Sequence, residues 1–288
     1  EYNVDIIHPH DNLSKIIGGI AAKLTGVKSV THCRDLLVGG VVEKMLIYYQ
    51  LTFIDRIIAV SESNRSLLKI GGRIPGKVSV IYNGIDIDEI KYPKKNSIKE
   101  ELDISDSGSV VGIIGVFDKC KGHIYLFQAI EELVSAGEKG LVCLVVGDGR
   151  ERNVLEEFVN KKNLKEYVRF LGKRDDVPDL LASMDMVVMP SIQESFPRVP
   201  LEAMASNIPV IATTVGGLTE MIIDGETGIL VPPADIASLS RAIKHLSENP
   251  ELGKRLGAGG FRRVRKEFTV ETNTRKTEDI YLDILKKI

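Results

Sequence analysis

The chain has 288 residues, 38 Lys and Arg against 40 Asp and Glu, and a formal net charge of −2, with 43% hydrophobic and 27% charged residues. This is the make-up of a soluble globular protein with room for about two domains, and it lacks the strong basic excess of a general nucleic-acid binder. No apolar run approaches the roughly 18 residues that span a bilayer; the densest, SVVGIIGVF at 109–117, is strand-sized and interrupted by glycine.

The chain opens at Glu1 directly into EYNVDIIHPH, which reads as the lead-in to an internal strand and not as a signal peptide. The expectation is a chain that begins partway through a domain. VDIIHPH (4–10) predicts a strand, SKIIGGIAAKLTG (14–26) a helix, VKSVTHC (27–33) a strand and EKMLIYYQLTFI (43–54) a helix. DRIIAVSES (55–63) predicts a strand running into a helix start at Ser61 or Ser63, and KVSVIYNGID (77–86) a strand closing on a turn at Asn83-Gly84. Strands alternating with helices imply a parallel sheet covered on both faces. The charged stretch 88–109, with Lys91, Lys94, Lys95 and Lys99, reads as a solvated linker and domain boundary, an anionic-surface patch being the alternative.

The pattern then restarts. Strands are predicted in 110–117, 141–149, 168–176, 185–191, 208–214 and 228–233, and helices in 121–137, 152–164, 177–184, 235–249 and 251–268. ETNTRKTEDIYLDILKKI at the end predicts an amphipathic helix, expected to pack back toward the first lobe. The fold class is α/β, with two Rossmann-like lobes: an incomplete first lobe over 1–100, a second over 101–268, and the terminal helix over 269–288. Cys33, Cys120 and Cys143 form no CxxC pair and are expected to be free thiols in a reducing, cytoplasmic compartment.

Open parallel sheets bind ligands at the carboxyl ends of their strands, where the N–H groups of following helix starts attract anions. Four loops of the second lobe meet these conditions. In GVFDKCKG (115–122), Gly115 permits close backbone approach, and Lys121 at a helix start suits a phosphate better than it suits the helix dipole. GDG (147–149) starts like a dinucleotide loop, but Arg152 stands where GxGxxG needs its third glycine, so a tight turn at Gly147 is the better reading. In QESFPRVPLEAMA (193–205), Pro200 suits a first helical turn and Glu202 lies in that turn, whereas Glu194 sits in the loop with no such structural role. Two carboxylates can bind vicinal diols of a sugar or ribose, and the N–H groups of Phe196, Arg198 and Val199 could face a phosphate. TTVGGLTE (213–220) opens another helix on two glycines.

Taken in order, Lys121-Gly122, GDG, FLG (170–172), MDMVVMPS, the Glu194/Glu202 pair, EAMA, PVIATTVGG and DGETGILVPP, preceded by IIAVSES and VIYNGID, resemble the retaining family-4 glycosyltransferases of the GT-B fold, glycosyl transferases group 1. The resemblance covers nearly the whole chain. It implies transfer of a sugar from a nucleotide-diphosphate donor to a hydroxyl acceptor with retention, a same-face substitution with no enzymic nucleophile. It implies that Glu202 holds the ribose, Glu194 contacts the transferred sugar, Lys121 pairs with the diphosphate, and Phe196, Arg198 and Val199 line the pyrophosphate. Gly172 and Lys173 fall where relatives contact the base. His10 matches the histidine that approaches the sugar, and His32 and Arg34 line the acceptor side. The implied catalytic set is His10, Lys121 and Glu194. The implied partners are a nucleotide sugar and a glycan or lipid-linked glycan acceptor, with peripheral membrane association and no nucleic acid; no cofactor or metal is required.

Two departures stand out. Relatives often carry Gly-Arg before the phosphate lysine, whereas Val116 follows Gly115 here, and the family's glycine-rich loop of the first strand does not precede residue 1. These favour an alternative, a nucleotide-sugar-binding fragment without turnover; a sugar-nucleotide epimerase is a further alternative. HPH (8–10) supplies two histidines on one side of a strand end, but no third metal ligand stands at a convincing spacing. DID (86–88) reads as turn chemistry and not as a metal-binding Asp-x-Asp. FRRVRKEF (261–268) reads as a solvated helix face.

Overall fold

The computed structural model describes residues 3–34, 40–69, 72, 74–90, 97–105 and 108–286. The chain forms two compact units, residues 1–84 with 270–288, and residues 85–269. Among the described residues no helix is long and apolar enough to cross a membrane.

The first unit is a parallel sheet of β1 (Ile6–Ile7), β2 (Lys28–Cys33), β3 (Arg56–Ala59) and β4 (Val78–Val80), in that spatial order. β2 is buried along all but its first residue, as expected of a strand covered on both faces. β1 is much shorter than the predicted 4–10. Pro9 has no N–H for a ladder, and its carbonyl instead accepts from the Thr31 hydroxyl at 2.8 Å. The helix Asn12–Thr25 starts where the Asp11 carboxylate accepts from Ser14 N–H at 2.9 Å and stops at the left-handed Gly26. It packs on the helix Val41–Phe53, whose Tyr49 hydroxyl donates to the Ile16 carbonyl at 2.6 Å. The terminal helix Val270–Leu285 belongs to this unit. Its Ile284 is buried with Val30, Ile58 and Ile81, and Asp283 pairs with Arg56 at 2.6 Å.

The second unit holds β5 (Ser109–Ile114), β6 (Leu141–Val146), β7 (Val168–Gly172), β8 (Met186–Met189), β9 (Val210–Thr213) and β10 (Ile229–Val231), all parallel. The spatial order is β10-β9-β8-β5-β6-β7. The chain therefore runs outward from β5 through β6 to β7, returns to the other side of β5 as β8, and runs outward again. This is the doubly wound order of a dinucleotide-type fold, with its reversal between β5 and β8. The helix His123–Ser135 buries Leu126, Phe127, Ile130 and Leu133 against the sheet, a helical spacing matched to β5 and β6 side chains such as Val111 and Val145. The unit begins at Ile85, ahead of the expected residue 101, because Ile85 N–H donates to the Phe268 carbonyl at 3.0 Å and bridges Thr269. Part of the stretch read as linker forms the short helices Ile87–Ile90 and Ser97–Glu101; Lys91, Lys94 and Lys95 lie outside the described residues.

Candidate active site

The two loops that leave β5 and β8 stand side by side because their strands are neighbours, so side chains 73 residues apart in sequence meet. After β5, Asp118 caps a single 3₁₀ turn, Lys119–Lys121, by accepting from Cys120 N–H at 3.1 Å. Gly122 then adopts φ 68°, and a Cβ there would overlap the Pro190 carbonyl of the loop after β8. Glycine is required on both counts. Ile192 N–H donates to the Cys120 carbonyl at 2.8 Å and fastens the loops together.

This fastening brings Lys121 Nζ to 2.7 Å from Glu194 Oε1. The same oxygen accepts from the Ser191 hydroxyl at 2.8 Å, and Thr213 on β9 holds the Ser191 carbonyl. Glu194 is 5% exposed, while the Lys121 side chain keeps 26% exposure. Glu194 Oε2 takes no hydrogen bond among the described residues. The expected lysine and carboxylate are thus joined, with the lysine charge balanced by Glu194. His123 lies beneath the loop, buried against Phe117, with neither ring nitrogen bonded. Burial, and secondarily Lys121, lowers its pKa to about 4, so it adds no charge near neutral pH.

The other expected donor residues surround this point in different ways. Phe196 is buried against Phe268 and anchors the loop in front of the helix Val199–Ala205, whose first intrahelical bond runs from Glu202 N–H to the Arg198 carbonyl at 3.0 Å and leaves the N–H groups of Arg198 and Val199 outside the helical ladder. Pro200 and Glu202 fall in that first turn as expected. Glu202 lies on a hollow of about 200 Å³ together with Arg198, Asp86, Glu89, Val177 and Leu181. Burial raises the Glu202 pKa, with Arg198, 3.6 Å away, opposing. Gly147 and Gly115 form a close backbone contact in which a Cβ on Gly147 would overlap the Gly115 carbonyl. The GDG turn therefore packs on the loop after β5. Gly172 ends β7 at φ 69° with open space on its Cβ side, and Lys173 is exposed beside it. Val116 is 62% exposed.

In the first unit, the rings of His8, His10 and His32 stack at the carboxyl ends of β1 and β2, with centroids 4.5 to 5.5 Å apart. His8 Nε2 lies 2.9 Å from His32 Nδ1, and the Tyr281 hydroxyl meets His8 Nδ1. Burial, then neighbouring positive groups, lowers the pKa of His8 to about 4 and of His32 to about 3; His10 is lowered for the same reasons. The third imidazole missing from the sequence reading is therefore His32. It is an expected acceptor-side residue, and the parallel register of β1 and β2 carries it to the HPH pair. His8 is the first histidine of the HPH pair, whereas Tyr281 and the buried Lys15 were not singled out in the sequence.

Residues 94–263 match the family model for glycosyl transferases group 1, and residues 1–89 match that for glycosyltransferase family 4. The chain is 34% identical over 298 aligned residues to N-acetyl-alpha-D-glucosaminyl L-malate synthase of Bacillus anthracis, covering 99% of this chain and 76% of that protein. It is 27% identical to the UDP-Gal:alpha-D-GlcNAc-diphosphoundecaprenol alpha-1,3-galactosyltransferase of Escherichia coli, covering 98% and 76%. Among solved structures, Anabaena HepE in complex with UDP and with UDP-glucose superposes with a TM-score of 0.88 at 25% identity, over 96% of this chain and 78% of that one. With a doubly wound second unit and a family match over most of its length, the chain belongs to the group 1, family 4 glycosyltransferases of the GT-B fold.

Proposed function

We propose that this protein moves a sugar from a uridine-diphosphate donor to a hydroxyl acceptor, a glycan or a lipid-linked glycan, with retention at the anomeric carbon. The observation that carries the reading is the Lys121–Glu194 pair at the strand-order reversal of the second unit, the position where doubly wound sheets bind nucleotides. Support for uridine comes from relatives named for, or solved with, UDP compounds. As the glycosidic bond breaks, negative charge grows on the departing diphosphate. The Lys121 ammonium, together with first-turn N–H groups at Arg198 and Val199, stabilises that charge. Glu194 holds Lys121 in place through Oε1 and offers Oε2 to a sugar hydroxyl. Glu202 accepts from the ribose hydroxyls, and Gly172 and Lys173 lie toward the base. Gly115 and Gly147 keep the strand ends low enough for the diphosphate to approach backbone. His10, His32 and Arg34 serve the acceptor. No residue is assigned as nucleophile: the leaving phosphate takes the acceptor proton on the same face. The chemistry needs no metal or cofactor, and we place it in the cytoplasm, with peripheral contact to a membrane when the acceptor is lipid-linked.

The test is UDP release from UDP-glucose and related donors in the presence of an acceptor panel. Lys121→Met and Glu194→Gln are each expected to lower kcat by about 10²–10³-fold; rates within threefold of the parent protein would refute the assignment. A second reading, a nucleotide-sugar binder without turnover, is favoured by the exposed Val116 in place of the family's arginine. Calorimetric UDP binding with no sugar release from any donor would establish it.

A further inference from the structure

The proposed reaction leaves His8 without a role, yet His8 is the hub of the histidine cluster. Its Nε2 lies 2.9 Å from His32 Nδ1, and one ligand nitrogen from each of His8, His10 and His32 falls within 4.8 Å of the other two. The chain builds this convergence from three directions. His8 and His10 flank Pro9, and their rings lie on the same side with centroids 4.5 Å apart. The Pro9 carbonyl is tied at 2.8 Å to the hydroxyl of Thr31, the neighbour of His32 on β2. The helix Val270–Leu285 brings the Tyr281 hydroxyl to His8 Nδ1. Cys33, next to His32, packs instead into the core with Leu51 and Ile57, so imidazoles alone make up the donor set.

These distances suit one metal ion. Two nitrogens bound at the usual zinc distance stand about 2.9 Å apart at a right angle and about 3.4 Å apart in a tetrahedron. The His8–His32 separation of 2.9 Å already matches the first. Two neutral imidazole nitrogens at that distance share one proton. Moving it to the far nitrogen of His32 leaves both lone pairs to a metal, while His8 keeps its own proton on Nδ1, donated to the Tyr281 oxygen. That is the outer-shell contact that fixes the tautomer of a metal-bound histidine. The cluster as a whole must close by about 1 Å, and His10, the exposed member, has room to turn inward. Imidazole is a donor for zinc, copper, nickel and iron rather than for calcium or magnesium.

We propose that His8, His10 and His32 bind a divalent transition-metal ion of the zinc class, and that the bound ion closes the acceptor side of the first unit. The second half rests on the reading that His10 and His32 serve the acceptor; the metal site does not. The ion is an inhibitor and not a cofactor, because ligation takes up the lone pairs of histidines that otherwise meet the acceptor.

The test uses the chain stripped by a chelator and titrated with cobalt(II) chloride, then with zinc chloride, in the absence of nucleotide. One equivalent of cobalt is expected to give visible d–d bands, and zinc to displace it. His8→Asn and His32→Asn are each expected to weaken zinc at least tenfold, and Tyr281→Phe about tenfold, the usual size of a lost outer-shell partner. His10→Asn, an exposed change that spares the core, covers the case of a buried variant that fails to fold, and is expected to weaken zinc to the same degree. His245→Asn, on the helix Ile236–Glu248, is expected to change nothing. With zinc bound, the KM for acceptor is expected to rise about tenfold or more, as the metal affinity of the cluster sets the competition, and the chelator restores it. The proposal fails if neither metal binds at micromolar concentration, or if His8→Asn and His10→Asn bind zinc as the parent does. Zinc binding that leaves the acceptor KM unmoved overturns the inhibitory half. Zinc binding in a protein that transfers no sugar keeps the metal site and sinks the transferase reading; sugar transfer by a protein that binds no zinc does the reverse.

Discussion

Replacing Lys121 by methionine strands a carboxylate. Glu194 is 5% exposed and its Oε1 depends on an ammonium 2.7 Å away. Removing one partner of a fully buried pair costs about 3–5 kcal/mol, and an exposed pair is worth about 0–1 kcal/mol. The Lys121 side chain retains 26% exposure and the Ser191 hydroxyl remains after the change, so the loss falls between, at roughly 2 kcal/mol. For a unit the size of residues 85–269, that lowers Tm by roughly 4–8 °C. Adding Glu194→Gln, which removes the stranded charge, recovers part of the loss. Circular-dichroism melts of the parent, both single variants and the double variant supply the cycle. A Lys121→Met variant as stable as the parent, or a double variant with no recovery, would refute the claim that a buried carboxylate depends on Lys121.

Three further outcomes follow from geometry. Gly122→Ala forces a Cβ onto the Pro190 carbonyl at a left-handed φ, and a loss of about 2 kcal/mol or more is expected in urea denaturation, whereas Gly26→Ala, equally left-handed but in open space, loses about 1 kcal/mol. His8 and His32, held neutral to about pH 4 and 3 by burial, contribute stability above the unfolded histidine pKa of about 6.5, and that contribution drains away as pH falls toward those values; NMR titration should find no midpoint for either ring between pH 5.5 and 8. Because burial raises the Glu202 pKa, UDP affinity should weaken on acidification from pH 7 to 5, and Glu202→Gln should cost about tenfold at pH 7 and remove most of that dependence.

Much of this was readable from residue order. The alternation of apolar runs with helical periods announces parallel sheets, and Gly122, Pro200 and the glutamates mark the loops that carry chemistry. What escaped was pairing across distance. Lys121 was expected to await a phosphate, but its first partner is Glu194, which becomes its neighbour only because β8 returns beside β5. Glu202, expected to share one ligand with Glu194, lies on a hollow with Asp86 and Arg198, residues that its place in the sequence does not point to. HPH lacked a third histidine in sequence, but the register Ile6↔Lys28 and Ile7↔Ser29, carried onward, sets His10 beside His32. Register of that kind is a property of the assembled sheet. The start of the second unit was hidden for the same reason, since Ile85 is secured by Phe268.

The helix Val270–Leu285 joins the first unit from the far end of the sequence. The first sheet is thus covered at Val30 and Ile58 by Ile284, a residue more than two hundred positions downstream. A chain cut before residue 270 would keep every strand of both sheets yet leave Val30, Ile58 and Ile81 without the side chain that covers them.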